Sequence, residues 1–186
     1  MRVIAGTRKG RKLLGPVGYD TTRPTLDRVK EAMFSIIQNH IMDATVVDVF
    51  SGTGSLGIEA ASRGASKCYL FDRDNVTFSF LKQNIENLKL EDICFSIKGD
   101  SYESLKMLAN KGEIFDIIFI DPPYAKDMIP PAIEIIEKTK CLREDGIIVC
   151  KIDSSEQVYD SNKTIMLSDK RRYGNTTVLI YKYREI

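Results

Sequence analysis

With 186 residues and a mass of 21.0 kDa, the chain has the length of one domain that can bury its core without disulfides or structural metals. Hydrophobic residues make up 43% and charged residues 28%, which is ordinary for a globular protein and far from the disordered and membrane-spanning classes. The net charge of +1 is unevenly spread. Residues 1–30 hold eight bases (Arg2, Arg8, Lys9, Arg11, Lys12, Arg23, Arg28 and Lys30) against two acids (Asp20 and Asp27), a local balance of +6 that leaves −5 for the remainder. A basic arm over residues 1–22 on a mildly acidic body fits a polyanionic partner, and equally a lysine-rich solvated surface.

The opening "MRVIAGTRKGRKLLG" carries its bases without an apolar stretch of signal length, so a cytosolic protein is expected. Next, "RPTLDRVKEAMFSIIQNHI" predicts a helix from about Thr25, with Leu26, Val29, Met33, Phe34, Ile36 and Ile37 on one face. Strands follow at 45–50, 67–72, 93–99, 115–121 and 146–153, with helices at 55–63, 75–90, 101–110 and 127–138 between them. That alternation predicts a parallel sheet with helices on both faces. The tail, residues 163–183, reads as two strands joined by a polar turn, an antiparallel hairpin at the sheet edge. The expectation is a doubly wound, mostly parallel α/β sheet of seven strands, one domain over 1–186. Cys68, Cys94, Cys141 and Cys150 lie in or beside apolar runs without CxxC spacing and read as reduced core cysteines.

The segment "DVFSGTGSLG" (48–57) places Gly52, Gly54 and Gly57 in GxGxxG spacing between a strand and a helix. Such a loop approaches a ligand closely and ends on free helical N–H groups, which suits a dinucleotide or another nucleoside cofactor. Asp48, four residues ahead of Gly52, would repel a pyrophosphate and favours a cation. S-adenosylmethionine offers an ammonium and no phosphate. Asp72, at the end of the next strand, suits ribose hydroxyls, a contact both cofactor types share. Asp100 could accept an adenine amine, and an Asp before a helix is also a good cap.

"FIDPPY" (119–124) ends the fourth predicted strand, and strand ends in such sheets share one crevice. An exocyclic base amine is a poor nucleophile. The Asp121 carboxylate and Pro122 carbonyl are acceptors that would hold its two hydrogens and orient it, with Pro122 and Pro123 fixing the turn and Tyr124 offering a stacking ring. A strand-ending turn uses the same residue types. No metal is required by this chemistry.

The residues here resemble a known family. A [DN]PP[YF] motif after DxFxGxGxxG is the amino-methyltransferase signature, and the finer likeness is to bacterial 16S rRNA guanine-N2 methyltransferases of the RsmD type. The similar blocks are "RVIAGTRKGRKL" (2–13), "RPTLDRVKEAMF" (23–34), "DVFSGTGSLGIEAASRGA" (48–65), "FIDPPY" (119–124) and "YGNT" (173–176), which together span most of the chain. The resemblance implies a Rossmann-like class I methyltransferase that binds S-adenosylmethionine through Asp48, Phe50, Gly52, Gly54 and Asp72, with Asp100 added by analogy. It implies catalysis at Asp121 to Tyr124, and rRNA binding through Arg8, Lys9, Arg11, Lys12, Arg23, Thr25 and Arg28. The expected partner is 16S rRNA in a small-subunit assembly particle, bound by a monomer. An adenine-N6 methyltransferase and a non-enzymatic RNA-binding assembly factor are the alternatives. Family members often carry an acid where this chain has Lys151, so the role of that position is open, as is that of the basic turn "KRRY" (170–173).

Overall fold

The computed structural model describes residues 1–17, 24–123 and 127–185, with backbone only for Pro24 and Thr25. Among these residues five α-helices and a short 3-10 helix (Gln38–His40) accompany seven strands, with helix and strand alternating from β1 as far as β5. They are α1 (Pro24–Ile36), β1 (Thr45–Asp48), α2 (Ser55–Ser62), β2 (Lys67–Asp72), α3 (Asn75–Asn87), β3 (Cys94–Lys98) and α4 (Ser101–Asn110). The second half adds β4 (Phe115–Ile120), α5 (Ile129–Thr139), β5 (Leu142–Asp153), β6 (Ile165–Tyr173) and β7 (Thr176–Tyr183). The predicted boundaries of β2 and α4 coincide with the observed ones. β5 begins four residues before its apolar run, because Leu142 pairs with Phe115 ahead of an irregularity in register.

The sheet order is β3-β2-β1-β4-β5-β7-β6. The first five strands run parallel and β7 is antiparallel to both β5 and β6. Strand order therefore reverses between β1 and β4, and in sheets of this kind ligands bind at the carboxyl ends beside that reversal. The central strands are buried on both faces, which explains their unbroken apolar runs. One face packs Val46, Ile117 and Phe119 with Phe34, Ile58 and Leu81 of α1 to α3. The other packs Val47, Ile118 and Ile148 with Leu105, Ile133 and Ile136 of α4 and α5. Burying each such side chain contributes about 1.5–3 kcal/mol before entropy is counted. All four cysteines are buried and free. Among the described residues no helix is long and apolar enough to cross a membrane.

Two segments differ from their sequence reading. Residues 1–14 form a folded hairpin rather than a projecting arm: Arg2 and Lys12 bridge, and Val3 and Leu13 are buried in the core. The cause is Glu59, an acid inside the apolar helix α2. Its carboxylate accepts the amides of Ile4 and Ala5 at 2.8 and 3.1 Å and pairs with Lys30 and Arg63 at 3.1 and 2.8 Å. A fully buried carboxylate needs every oxygen satisfied, and the hairpin backbone supplies part of that. "KRRY" lies in the paired strand β6, with only Gly174 and Asn175 left between β6 and β7.

Candidate active site

β1 ends at Asp48 because the chain turns into the glycine loop. Gly52 has φ +56°, and a Cβ built there meets nothing within 4 Å, so this backbone borders open space. Gly57 serves packing instead: a Cβ would lie 2.5 Å from Leu70 Cδ2, so only glycine lets α2 approach β2 this closely. Gly54 precedes α2 at φ +102°. The Gly57 amide donates to Asp48 Oδ2 at 3.1 Å. The other oxygen, Oδ1, is buried and meets no hydrogen-bond donor among the described residues.

That arrangement raises the Asp48 pKa to about 8, first through burial and then through the charge of Asp121, with the Gly57 amide pulling the other way. A buried carboxyl with an unmet oxygen beside an open glycine loop is a binding position for a cation or strong donor, and an ammonium group satisfies it. These residues fit the ammonium of S-adenosylmethionine.

Asp72, at the end of β2, does more than the sequence suggested. Its Oδ2 accepts the Gly52 amide at 3.1 Å and its Oδ1 the Asp74 amide at 2.9 Å. It fixes the loop from the neighbouring strand while remaining partly accessible for hydroxyl contacts. Burial raises its pKa, opposed by those amides. Phe50 packs edge-on against Tyr102, with ring centroids 5.9 Å apart, and the Tyr102 hydroxyl donates to the Met128 carbonyl at 2.8 Å. Asp100 caps α4, accepting the Glu103 amide at 3.0 Å. The capping alternative for Asp100 is therefore realised, with one oxygen left over.

The β4–β5 register aligns Ile120 with Cys150, so the next residues, Asp121 and Lys151, stand side by side. Lys151 Nζ lies 3.2 Å from Asp121 Oδ2, each side chain only about a quarter exposed, at 28% and 27%. Burial pushes the Asp121 pKa up, and the Lys151 ammonium opposes it. Pro122 and Lys151 line a cleft of about 460 Å³ with Asp153, Asn175 and Thr176. Asp72, Asp48, Asp121 and Lys151 thus follow one another along the carboxyl edge of β2, β1, β4 and β5. Tyr124 and Arg23 lie outside the described residues, as does the side chain of Thr25.

Residues 1–182 match the model of the family described as Conserved hypothetical protein 95. The chain belongs to that family. Bacillus subtilis YlbH is 36% identical to it over 184 residues, 99% of this chain and 100% of YlbH. The Ribosomal RNA small subunit methyltransferase D of Haemophilus influenzae is 33% identical over 172 residues, 91% of this chain and 88% of the relative. The solved structure of yhhF from Escherichia coli superimposes with a TM-score of 0.84 at 30% identity, covering 100% of this chain and 98% of that one.

In this Conserved hypothetical protein 95 family member, the basic residues divide into two groups. The Arg8 guanidinium donates to the Leu88 and Lys89 carbonyls at 2.6 and 3.2 Å, and that of Arg11 to the Asn87 carbonyl at 3.0 Å, so both arginines cap the end of α3. Lys9, Lys12 and Arg28 are exposed. Sequence reasoning also missed Asn84, which ties the hairpin to the glycine loop. Its signal was faint, because α3 carries four amide side chains and only burial sets Asn84 apart from Asn75, Gln83 and Asn87.

Proposed function

We propose that the protein transfers a methyl group from S-adenosylmethionine to the exocyclic N2 amine of a guanine in small-subunit rRNA. The observation that carries this reading is the pairing, at the point where strand order reverses, of a buried carboxylate with an unmet oxygen (Asp48) and a second carboxylate (Asp121) followed by a rigid Pro-Pro carbonyl. The substrate class is supported by family membership and by the Haemophilus influenzae relative named for small-subunit rRNA methylation.

S-adenosylmethionine, when bound, supplies an electrophilic methyl on a cationic sulfur. Asp48 Oδ1 would hold its ammonium, the Gly52 and Gly54 loop would allow close approach, and Asp72, already fixed by the Gly52 amide, would accept ribose hydroxyls. Phe50 and Asp100 would serve its adenine. On the acceptor side, Asp121 takes one amine hydrogen and the Pro122 carbonyl the other. This holds the nitrogen plane, stabilises positive charge as it develops, and leaves the carboxylate as the base for the surplus proton. Pro123 keeps the carbonyl rigid and Tyr124 stacks the base.

Lys9, Lys12 and Arg28, together with Arg23 and Thr25 of the same sequence block, supply phosphate affinity, while Arg8 and Arg11 contribute through the hairpin they anchor. One domain carries both crevice and basic surface, so a monomer suffices. The protein acts in the cytoplasm on a partly assembled small-subunit particle, where the target base is reachable.

The test is nucleoside mass spectrometry of small-subunit rRNA from cells with and without the gene. Loss of one N2-methylguanosine, restored by the wild-type protein and not by Asp121→Ala, is the expected result. An unchanged rRNA, or restoration by Asp121→Ala, refutes the assignment.

A further inference from the structure

Lys151 is the one cation in contact with the proposed catalytic carboxylate among the described residues, and its ammonium has more donors than Asp121 uses. Three hydrogens are available; one is directed at Asp121 Oδ2, 3.2 Å away. The remaining donors belong to a side chain 28% exposed on the wall of the 460 Å³ cleft that also holds Asp121 and Pro122, a volume within the range of small-ligand pockets.

Asp121 brings two acceptor oxygens to this wall, and Lys151 Nζ, 3.2 Å from Oδ2, sets a donor beside them, so an edge that meets both residues meets two acceptors and a donor. The Watson–Crick edge of guanine offers the complement, donor, donor, acceptor, as N2–H, N1–H and O6. Adenine, presenting its N6 amine in the same place, brings the N1 lone pair against the carboxylate and a C2–H against the ammonium. Cytosine brings its N3 lone pair against the carboxylate. From this geometry we infer that Lys151 is a specificity-determining residue that donates a hydrogen bond to the guanine O6 while Asp121 accepts from N2 and N1. The inference rests on the guanine reading above and adds the residue that selects the base.

The same ammonium also faces Asp121 electrostatically, so loss of activity on removing it is not diagnostic. A double-mutant cycle is. Once the target has been located, kcat/KM is measured for wild type and Lys151→Met on rRNA carrying either guanine or 2-aminopurine there. The analogue keeps the N2 amine and lacks O6 and the N1 hydrogen. Because the N1 contact shares Asp121 with Lys151, the cycle is repeated with 6-thioguanine, which keeps the N2 amine and the N1 hydrogen and weakens only the acceptor at position 6; a coupling to Lys151 seen with both analogues belongs to that acceptor, and one seen with 2-aminopurine alone overturns the inference. Wild type is expected to lose more on the analogue than Lys151→Met does, by a further factor of about tenfold to hundredfold, with Lys151→Arg restoring the difference. Equal losses in both enzymes, the outcome if Lys151 only keeps Asp121 ionised or contacts a phosphate, overturn the inference while leaving the guanine assignment intact. If wild type instead yields methyladenosine, the product nucleoside shows the guanine reading itself to be wrong, and the inference falls with it.

Discussion

Asn84 and Leu14 hold each other through a closed pair of hydrogen bonds: the Leu14 amide donates to Asn84 Oδ1 at 2.7 Å and Asn84 Nδ2 donates to the Leu14 carbonyl at 3.0 Å. The same Nδ2 also reaches the Thr53 carbonyl at 2.9 Å, inside the glycine loop. One fully buried side chain thus joins the N-terminal hairpin to the glycine loop. Asn84→Ala leaves the Leu14 backbone groups without their partner, at about 1–3 kcal/mol for each group left unsatisfied. We expect a clear drop in the urea midpoint and weaker S-adenosylmethionine binding by calorimetry. A variant with normal stability that binds the cofactor normally would show that the bridge has no mechanical role.

Asp48 gives a signature in pH. Its folded pKa, about 8, lies above the ordinary 3.8. The native state therefore holds a proton that the unfolded chain has released, and stability falls as pH rises from about 4 through 8. Asp48→Asn keeps the acceptor for the Gly57 amide and removes the charge, so its stability should be flatter over that window and exceed wild type at pH 9. Cofactor affinity should behave oppositely on the acid side. It needs the carboxylate ionised and the cofactor amine, with a pKa of about 8, protonated, which gives a maximum near pH 8. In Asp48→Asn the acid limb disappears and binding is weaker throughout. Calorimetric titrations between pH 6 and 10 check both statements.

Glu59 is the keystone of the hairpin. Its carboxylate is fully buried between two backbone amides, Lys30 and Arg63. Lys30 is itself buried, which lowers its pKa despite the partner, and its ammonium also donates to the Arg2 carbonyl and to Ser55 Oγ at 2.9 and 3.0 Å. Removing one member of such a network strands the others. Glu59→Gln is expected to cost about 3–5 kcal/mol and to expose residues 1–14 to proteolysis. A change below about 1 kcal/mol would mean that Lys30 and Arg63 find other partners.

The basic residues should separate by experiment as they do in position. For exposed Lys9 and Lys12, substitution by alanine should leave the melting temperature alone and lower the slope of log affinity against log salt by roughly 0.7–0.9 per charge lost. Arg8→Ala should destabilise the fold as well, since its guanidinium caps α3 through the Leu88 and Lys89 carbonyls. An Arg8→Ala protein as stable as wild type, or lysine variants with unchanged salt dependence, would contradict this division.

Much of the molecule is legible from local pattern. Alternating apolar runs and helical periods mark seven strands and five helices, the glycine spacing marks a loop built for close approach, and Asp48, Asp72 and Asp121 announce themselves as acids at strand ends. These signals are local because strand and helix periods, glycine turns and proline stops act over a few residues. What stands beside what is decided by the fold. The adjacency of Lys151 to Asp121 depends on β5 pairing with β4 in a register that aligns Ile120 with Cys150, thirty positions apart in the chain. The basic N-terminal segment reads as an arm because nothing within it names Glu59 or Asn84, the partners that fold it down from 55 and 70 residues away. Asp100 reads first as a ligand contact and second as a helix cap, because both roles use the same carboxylate at the same place and only the structure shows the cap made. Side-chain pairing across a sheet and the satisfaction of buried polar groups are non-local, so the sequence determined the elements and the kinds of chemistry, and only the tertiary structure decided which charges meet.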